Sequence, residues 1–184
     1  MTVTVKHDGE EKSRKESRCY YGADGKQEKV PIDDPSVEKK KKPRGLRGRI
    51  AKKKTKQMEE YVHAALALVK EYIPPDPARL QAIKEQGAQR IEVLDNASTL
   101  RAEYPAYLKE GDELSVDVDP KAERILGISV SSYLEDDPGD AVSLDVTFGA
   151  FQDGTSYPAK IELDGQSKEV EILIENHGYH KTGS

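Results

Sequence analysis

The side chains best suited to chemistry in this sequence are one cysteine, Cys19, and two histidines three residues apart, His177 and His180. A catalytic thiol needs a histidine partner, and no motif supplies one; the nucleophile motif Gly-x-Ser-x-Gly is absent as well. A glycine lies between the two histidines, which favours an irregular segment over a metal-chelating helix face. His63 is interpreted as solvated or hydrogen-bonded. These residues therefore predict no catalytic, metal or cofactor site.

Carboxylates are abundant, with 34 aspartates and glutamates, and for that reason no pair stands out as a general acid and base. Asp136, Asp137 and Asp140 crowd one turn, but the glutamate that completes a calcium loop is missing. The glycines are dispersed among turns, so the sequence contains no phosphate-binding loop. We therefore predict that the protein is not an enzyme.

The most pronounced charge feature is a basic segment, residues 38–56, in which eleven lysines and arginines accompany a single acid while the whole chain carries −5. Several of its cations could contact a polyanion such as nucleic acid or an anionic membrane surface: Lys39, Lys40, Lys41, Lys42, Arg44, Arg47, Arg49, Lys52, Lys53 and Lys54. However, no aromatic residue between Val37 and Gln57 is available for base stacking, and the remainder of the chain is acidic. We favour a solvated linker, and polyanion binding is the alternative hypothesis.

The elements that position these residues follow from the spacing of apolar and turn-forming residues. Residues 1–32 predict a marginal β-meander with hairpin turns at Asp8-Gly9 and Asp24-Gly25. Residues 33–49 predict a flexible basic linker, because prolines and glycines interrupt a stretch with few apolar residues. Apolar residues then recur every three or four positions, which predicts a long amphipathic helix over 50–72. Asp76 followed by Pro77 predicts the start of a short helix over 77–86.

From residue 87 onward the apolar residues alternate with period two, and turn formers separate the runs. Short connections favour antiparallel pairing between successive strands, and a single apolar face needs a cover. We therefore expect an α+β fold for residues 50–184 together with 1–32. An open antiparallel meander of six or seven C-terminal strands would be covered on one face by the two helices.

Two segments, YLKEGDELSVDVDP from Tyr107 and DGTSYPAKI from Asp153, give the region 104–179 a resemblance to uncharacterised exported bacterial proteins. Those are similar to the superfamily of periplasmic lipoprotein carriers and outer-membrane lipoprotein-sorting proteins. That resemblance implies an unclosed, half-barrel-like sheet covered by helices, with an apolar, lipid-like ligand or a lipoprotein held between sheet and helix. On the helix, the lining would be formed by the apolar side chains Met58, Tyr61, Val62, Ala65 and Val69.

Composition gives the location and limits of this hypothesis. The chain is 35% hydrophobic and 34% charged, lacks tryptophan, and has no apolar run long enough to span a membrane. It opens directly in strand-like alternation, so we expect an exported protein, periplasmic or secreted, whose leader is missing from this sequence. A single thiol is compatible with the cytosol as well. The leading hypothesis is a non-catalytic envelope protein of unknown oligomeric state.

Overall fold

The computed structural model describes residues 1–21, 27–32, 46–94, 98–134, 137–151 and 154–178, which form a ten-stranded antiparallel sheet and two α-helices. The strands are β1 (Thr2–His7), β2 (Glu10–Tyr21), β3 (Gln27–Pro31), β4 (Arg90–Leu94), β5 (Thr99–Pro105), β6 (Glu113–Asp119), β7 (Arg124–Tyr133), β8 (Ala141–Ala150), β9 (Ser156–Gly165) and β10 (Val170–Glu175). The helices, α1 (Leu46–Tyr72) and α2 (Pro77–Glu85), connect β3 to β4. The predicted α+β class with an open antiparallel sheet is confirmed.

The sheet joins two meanders edge to edge. Its strand order is β3-β2-β1-β10-β9-β8-β7-β6-β5-β4, so β1 pairs with β10, and Thr2 lies opposite Glu175. Turns that the sequence predicts connect several of the strands: Asp8 and Gly9 both have positive φ between β1 and β2, as a tight hairpin requires. The sheet extends from β3 at one edge to β4 at the other.

The apolar residues of the sheet share one face. Opposed residues in an antiparallel pair point to the same side, and the register places Leu114, Val130, Leu144, Leu163, Ile172 and Val5 in one row across six strands. All six are buried. The opposite face carries Ser129, Asp145 and Glu162 along another row. The sheet therefore has one buried side, as the alternation predicts.

Helix α1 lies across the strands at one end of this apolar face. Tyr61 contacts Gly165 at the end of β9, and Tyr72 contacts Asp112 and Ser132 beside β6 and β7. Eleven residues of helix span roughly 16 Å, which is close to the roughly 14 Å across the three strand spacings from β9 to β6. Across the described side chains, the helix buries Tyr61, Ala65, Leu68, Val69 and Tyr72 against the sheet.

Three of the four helix ends lie within one residue of the predicted boundaries. Helix α2 begins at Pro77 with Asp76 as its N-cap, whose Oδ1 accepts a hydrogen bond from the Ala78 amide at 2.9 Å. Helix α1 ends at Tyr72, as predicted, but begins at Leu46 instead of Ile50. The difference arises because Gly48 is tolerated inside the helix, at a cost of about 1 kcal/mol relative to alanine. No helix in the described ranges is long and apolar enough to cross a membrane.

Candidate binding surface

The residues predicted to line an apolar site lie between α1 and the sheet. Tyr61, Ala65 and Val69 are buried in the core, and Met58 and Val62 are half-buried against it. The approach is close enough that a Cβ added at Gly165 would overlap Oη of Tyr61. Glycine at this position therefore permits the ring to lie directly on β9. The five side chains pack as part of the hydrophobic core.

The hydroxyl of Tyr61 reaches the polar end of this interface. It lies 3.4 Å from Oδ1 of Asp140, the same oxygen that accepts a hydrogen bond from the Ser167 hydroxyl. Burial, followed by the negative charge of Asp140, raises the pKa of Tyr61 to about 12. The phenol is therefore neutral over the physiological range, and it attaches α1 to the turn that precedes β8.

A second polar cluster attaches the other end of α1. Tyr72, fully buried, donates a hydrogen bond to Oδ2 of Asp112, and its hydroxyl lies 3.0 Å from Oγ of Ser132. The same carboxylate oxygen accepts from the amides of Leu108 and Lys109 at 3.0 and 3.2 Å. Asp112 is 3% exposed, and its Oδ1 has no hydrogen-bond partner within the described part of the chain. Burial and the bond to Asp112 raise the pKa of Tyr72 well above its ordinary value.

The predicted polyanion contacts fall partly outside the described structure. Lys39, Lys40, Lys41, Lys42 and Arg44 lie outside the described residues. The remaining residues of that set (Arg47, Arg49, Lys52, Lys53 and Lys54) belong to the first turns of α1. The segment 46–56 therefore has a helical backbone with six cations and no acid.

The polar face of the sheet carries a shallow depression of about 200 Å³. Lys6 and four acids spread over three strands surround it: Asp145, Glu162, Asp164 and Glu171. Lys6 pairs with Glu171 at 2.9 Å, and that hydrogen bond raises the pKa of Lys6. Across the described residues, no three histidine, cysteine, aspartate or glutamate side chains are placed to hold a metal ion together. The depression is therefore a solvated, charged part of the sheet surface.

An exposed apolar surface lies on the edge strand β4 and its neighbours, and we call it the β4 surface. Ile91 and Val93 of β4 are 65% and 60% exposed. They lie opposite Ala102 and Leu100 on β5, and Leu100 lies opposite Val118 on β6. These five residues share the apolar face, and the surface continues into the core because Ala102 also lies opposite the buried Val116.

The β4 surface is exposed because the helices cover the other part of this face. Helix α1 contacts the strand ends between β6 and β9, as described above. Helix α2 lies against β5 near Tyr104, whose hydroxyl accepts a hydrogen bond from Gln89 at 2.9 Å. No described segment pairs with the outer edge of β4. The sequence predicts the inward direction of Ile91 and Val93 but not their exposure, since alternation indicates a face and not what covers it.

Comparisons with known proteins identify no relative: no family model, curated protein or solved structure matches this chain.

Proposed function

We propose that this chain is a non-catalytic binding protein that accepts an extended polypeptide segment as an added strand along β4. The observation that carries this proposal is the exposure of Ile91 and Val93 on an unpaired edge strand, in continuity with the core. Large, exposed β-branched side chains on such an edge indicate an interaction site, because edges are otherwise protected by charge, proline or a covering element.

Two kinds of contact support binding at β4. An added strand would satisfy the outward-facing amide and carbonyl groups of β4, which supplies affinity independent of sequence. Its alternate side chains would lie beside Ile91 and Val93 on the apolar face, so an apolar residue at every second position is preferred. An added strand covers only the flank of each side chain, so the gain stays below the roughly 1.5–3 kcal/mol of full burial, which suits weak or moderate affinity after the cost of association.

This proposal moves the apolar site away from the sheet–helix interface. The residues that would line a ligand there, such as Ala65 and Val69, are already buried in the hydrophobic core. We interpret α1 as the long amphipathic helix that closes the core, and the β4 surface as the part of the apolar face left for a partner. The envelope location stays a prediction.

A synthetic strand tests the proposal. The probe is a blocked, fluorescently labelled peptide of alternating threonine and valine with lysine at each end, followed by fluorescence anisotropy. We expect saturable binding, and we expect Ile91→Asp with Val93→Asp to weaken it roughly tenfold or more, because two charges would replace the apolar side chains that contact the added strand.

The matched control is Val30→Asp, because Val30 is an exposed apolar residue on the other edge strand, β3. A second control peptide carries proline at alternate positions and cannot donate the strand hydrogen bonds. Equal binding of the two peptides, or equal loss from Val30→Asp and from the β4 variant, would show that β4 does not accept a strand.

The helical placement of part of the basic segment favours a second candidate, polyanion binding. Six cations on the first eleven residues of α1 give a concentrated positive charge on one element. Affinity for a labelled DNA duplex should then fall steeply with salt, and alanine at Lys39–Lys42 should weaken it equally for any sequence. The control replaces four exposed lysines elsewhere, Lys70, Lys84, Lys121 and Lys168. Affinity that does not change with salt would contradict this candidate.

A further inference from the structure

We propose that the strand added at β4 is the β4 strand of a second copy of this chain, paired antiparallel about a two-fold axis that passes through Ile91. The inference rests on the proposed function and names its partner. It follows from the face of the sheet that each β4 residue occupies, from the charges of Arg90 and Glu92, and from the residues that a two-fold axis would place opposite one another.

The faces limit the possible arrangements. Ile91 and Val93 point to the apolar side of the sheet, whereas Arg90 and Glu92 point to the polar side. A two-fold axis perpendicular to the sheet keeps the apolar sides of both copies together. It therefore joins the two exposed β4 surfaces into one, and it pairs each residue with one of the same face. The axis must then pass through a residue position.

Charge selects among these positions. An axis through Glu92 places Glu92 directly opposite its own copy, and an axis through Arg90 does the same for Arg90; like charges directly opposed are unfavourable. An axis through Ile91 instead places Arg90 opposite Glu92 of the other copy, twice. It also places Ile91 against Ile91 at the centre. An axis through Val93 leaves Glu92 opposite an apolar residue, Leu94. Of these four positions, only the axis through Ile91 places opposite charges against each other across the two β4 strands.

The side chains needed for these pairs are accessible. Arg90 is 63% exposed, and its guanidinium pairs with Glu113 at 3.0 Å and Glu103 at 3.5 Å on the inner side. Glu92 is exposed and lies opposite Arg101 on β5, but the guanidinium of Arg101 forms its hydrogen bonds with Asp117, so the Glu92 carboxylate can reach across to a second copy. Each added pair would thus bring a new acid to an arginine already ordered by its neighbours.

Charge reversal tests the inference directly. Sedimentation velocity of the full chain at about 100 µM should show a dimer, and Arg90→Glu or Glu92→Arg alone should make the chain monomeric. Mixing these two monomeric variants should restore a mixed dimer, because each then supplies the charge that the other lacks. The double variant carrying both changes should dimerise with itself. Lys12→Glu, an exposed charge reversal on β2, is the matched control and should leave the dimer unchanged.

Cysteine cross-linking tests the register. In a Cys19→Ser background, Ile91→Cys should form a disulfide between copies on mild oxidation, because the two copies of residue 91 lie directly opposite one another and are the nearest pair across the two strands. Glu92→Cys should cross-link at least tenfold more slowly than Ile91→Cys. Faster cross-linking at residue 92, or a dimer insensitive to both single charge reversals, would overturn the register and with it the inference.

The failure of this inference can be told from failure of the proposed function. A chain that stays monomeric at every concentration but still binds the alternating peptide through Ile91 and Val93 refutes the second copy and keeps the edge. A chain that neither dimerises nor binds the peptide refutes both.

Discussion

Removing one hydroxyl from the core should destabilise this protein measurably, and the change is Tyr72→Phe. The ring would remain packed, since Tyr72 is fully buried and its ring lies 5.6 Å from that of Tyr107. The substitution removes the hydrogen bond to Asp112 and the contact between the Tyr72 and Ser132 hydroxyls. The substitution therefore isolates a buried polar contact from the packing around it.

The expected cost follows from what each partner retains. After Tyr72→Phe, Oδ2 of Asp112 keeps the two amides of Leu108 and Lys109. The loss is one charge-assisted bond, about 1.5–3 kcal/mol. Asp112→Ala leaves one buried and two partly buried donors without their acceptor, and we expect about 3–5 kcal/mol. In the double variant the phenol donor is already absent, so the two costs should fall short of additive by at least ~1 kcal/mol.

Urea unfolding monitored by circular dichroism measures these costs. For a domain of this size the urea dependence is about 2 kcal/mol per molar, so Tyr72→Phe should lower the midpoint by roughly 1 M. Tyr133→Phe is the matched control, because its hydroxyl donates to the Glu110 carbonyl at 2.9 Å at the exposed surface. It should change stability by less than about 0.5 kcal/mol. Equal effects of the two phenylalanine variants, or additive costs in the double variant, would refute this account of the cluster.

Three further outcomes follow from the same contacts. Gly165→Ala should destabilise the fold by about 2 kcal/mol or more, because the added methyl group overlaps the Tyr61 ring, and Tyr61→Phe should recover part of that loss. Stability should fall as pH rises above 10. Unfolded tyrosines lose their protons near that pH, whereas burial keeps Tyr61 and Tyr72 protonated in the folded state, so a rising pH favours the unfolded state. With the pKa of Tyr61 at about 12, this residue accounts for a loss of roughly 2 kcal/mol in the free energy of unfolding by pH 12. Arg101→Met, which removes a bidentate pair at 2.7 and 2.8 Å, should cost about 1 kcal/mol, whereas Lys6→Met should have no measurable effect.

A control variant or a contradicting result tests each of these three predictions. Gly127→Ala adds a methyl group 3.4 Å from the nearest atom and should be tolerated far better than Gly165→Ala. Tyr61→Phe should reduce the loss of stability above pH 10, measured as the free energy of unfolding at each pH. An unchanged loss would show that other groups cause it. A cost at Lys6 as large as at Arg101 would show that exposed pairs contribute more here than their screening allows.

The antiparallel sheet and the second helix could be predicted from the sequence because their signals are local. Alternation from Leu114 onward gives each strand an apolar side, and Asp76 with Pro77 provides a cap and a compatible first residue for α2. Strand β5 has the weaker alternation, because one of its inward residues, Ala102, is small and two charged residues flank it. The predicted start of α1 lies four residues late because the prediction assigns Gly48 to the basic linker over 33–49.

The pairing of strands and the polar clusters could not be predicted in the same way. Val3 and Val5 of β1 fit any strand with a matching apolar face, and nothing local specifies Ile172 and Ile174 of β10 as their partners. The contact between Tyr72 and Asp112 spans 40 residues, and neither residue carries a motif that indicates the other. Exposure of the β4 surface depends on where both helices end, which is a property of the whole fold.

The pairing of β1 with β10 also sets the order in which this chain can fold. Residues Thr2 and Glu175 must meet across nearly the whole described length, and contacts this distant in sequence slow folding because the intervening loop must close first. During synthesis at about 5–20 residues per second, β1 waits roughly 10–30 s for β10 to be made. Over that interval the outer edge of β1, which carries the apolar Val3 and Val5, stays unpaired and is open to wrong pairing. Slow refolding that speeds up when β1 and β10 are joined by an engineered disulfide would be the kinetic signature of this topology.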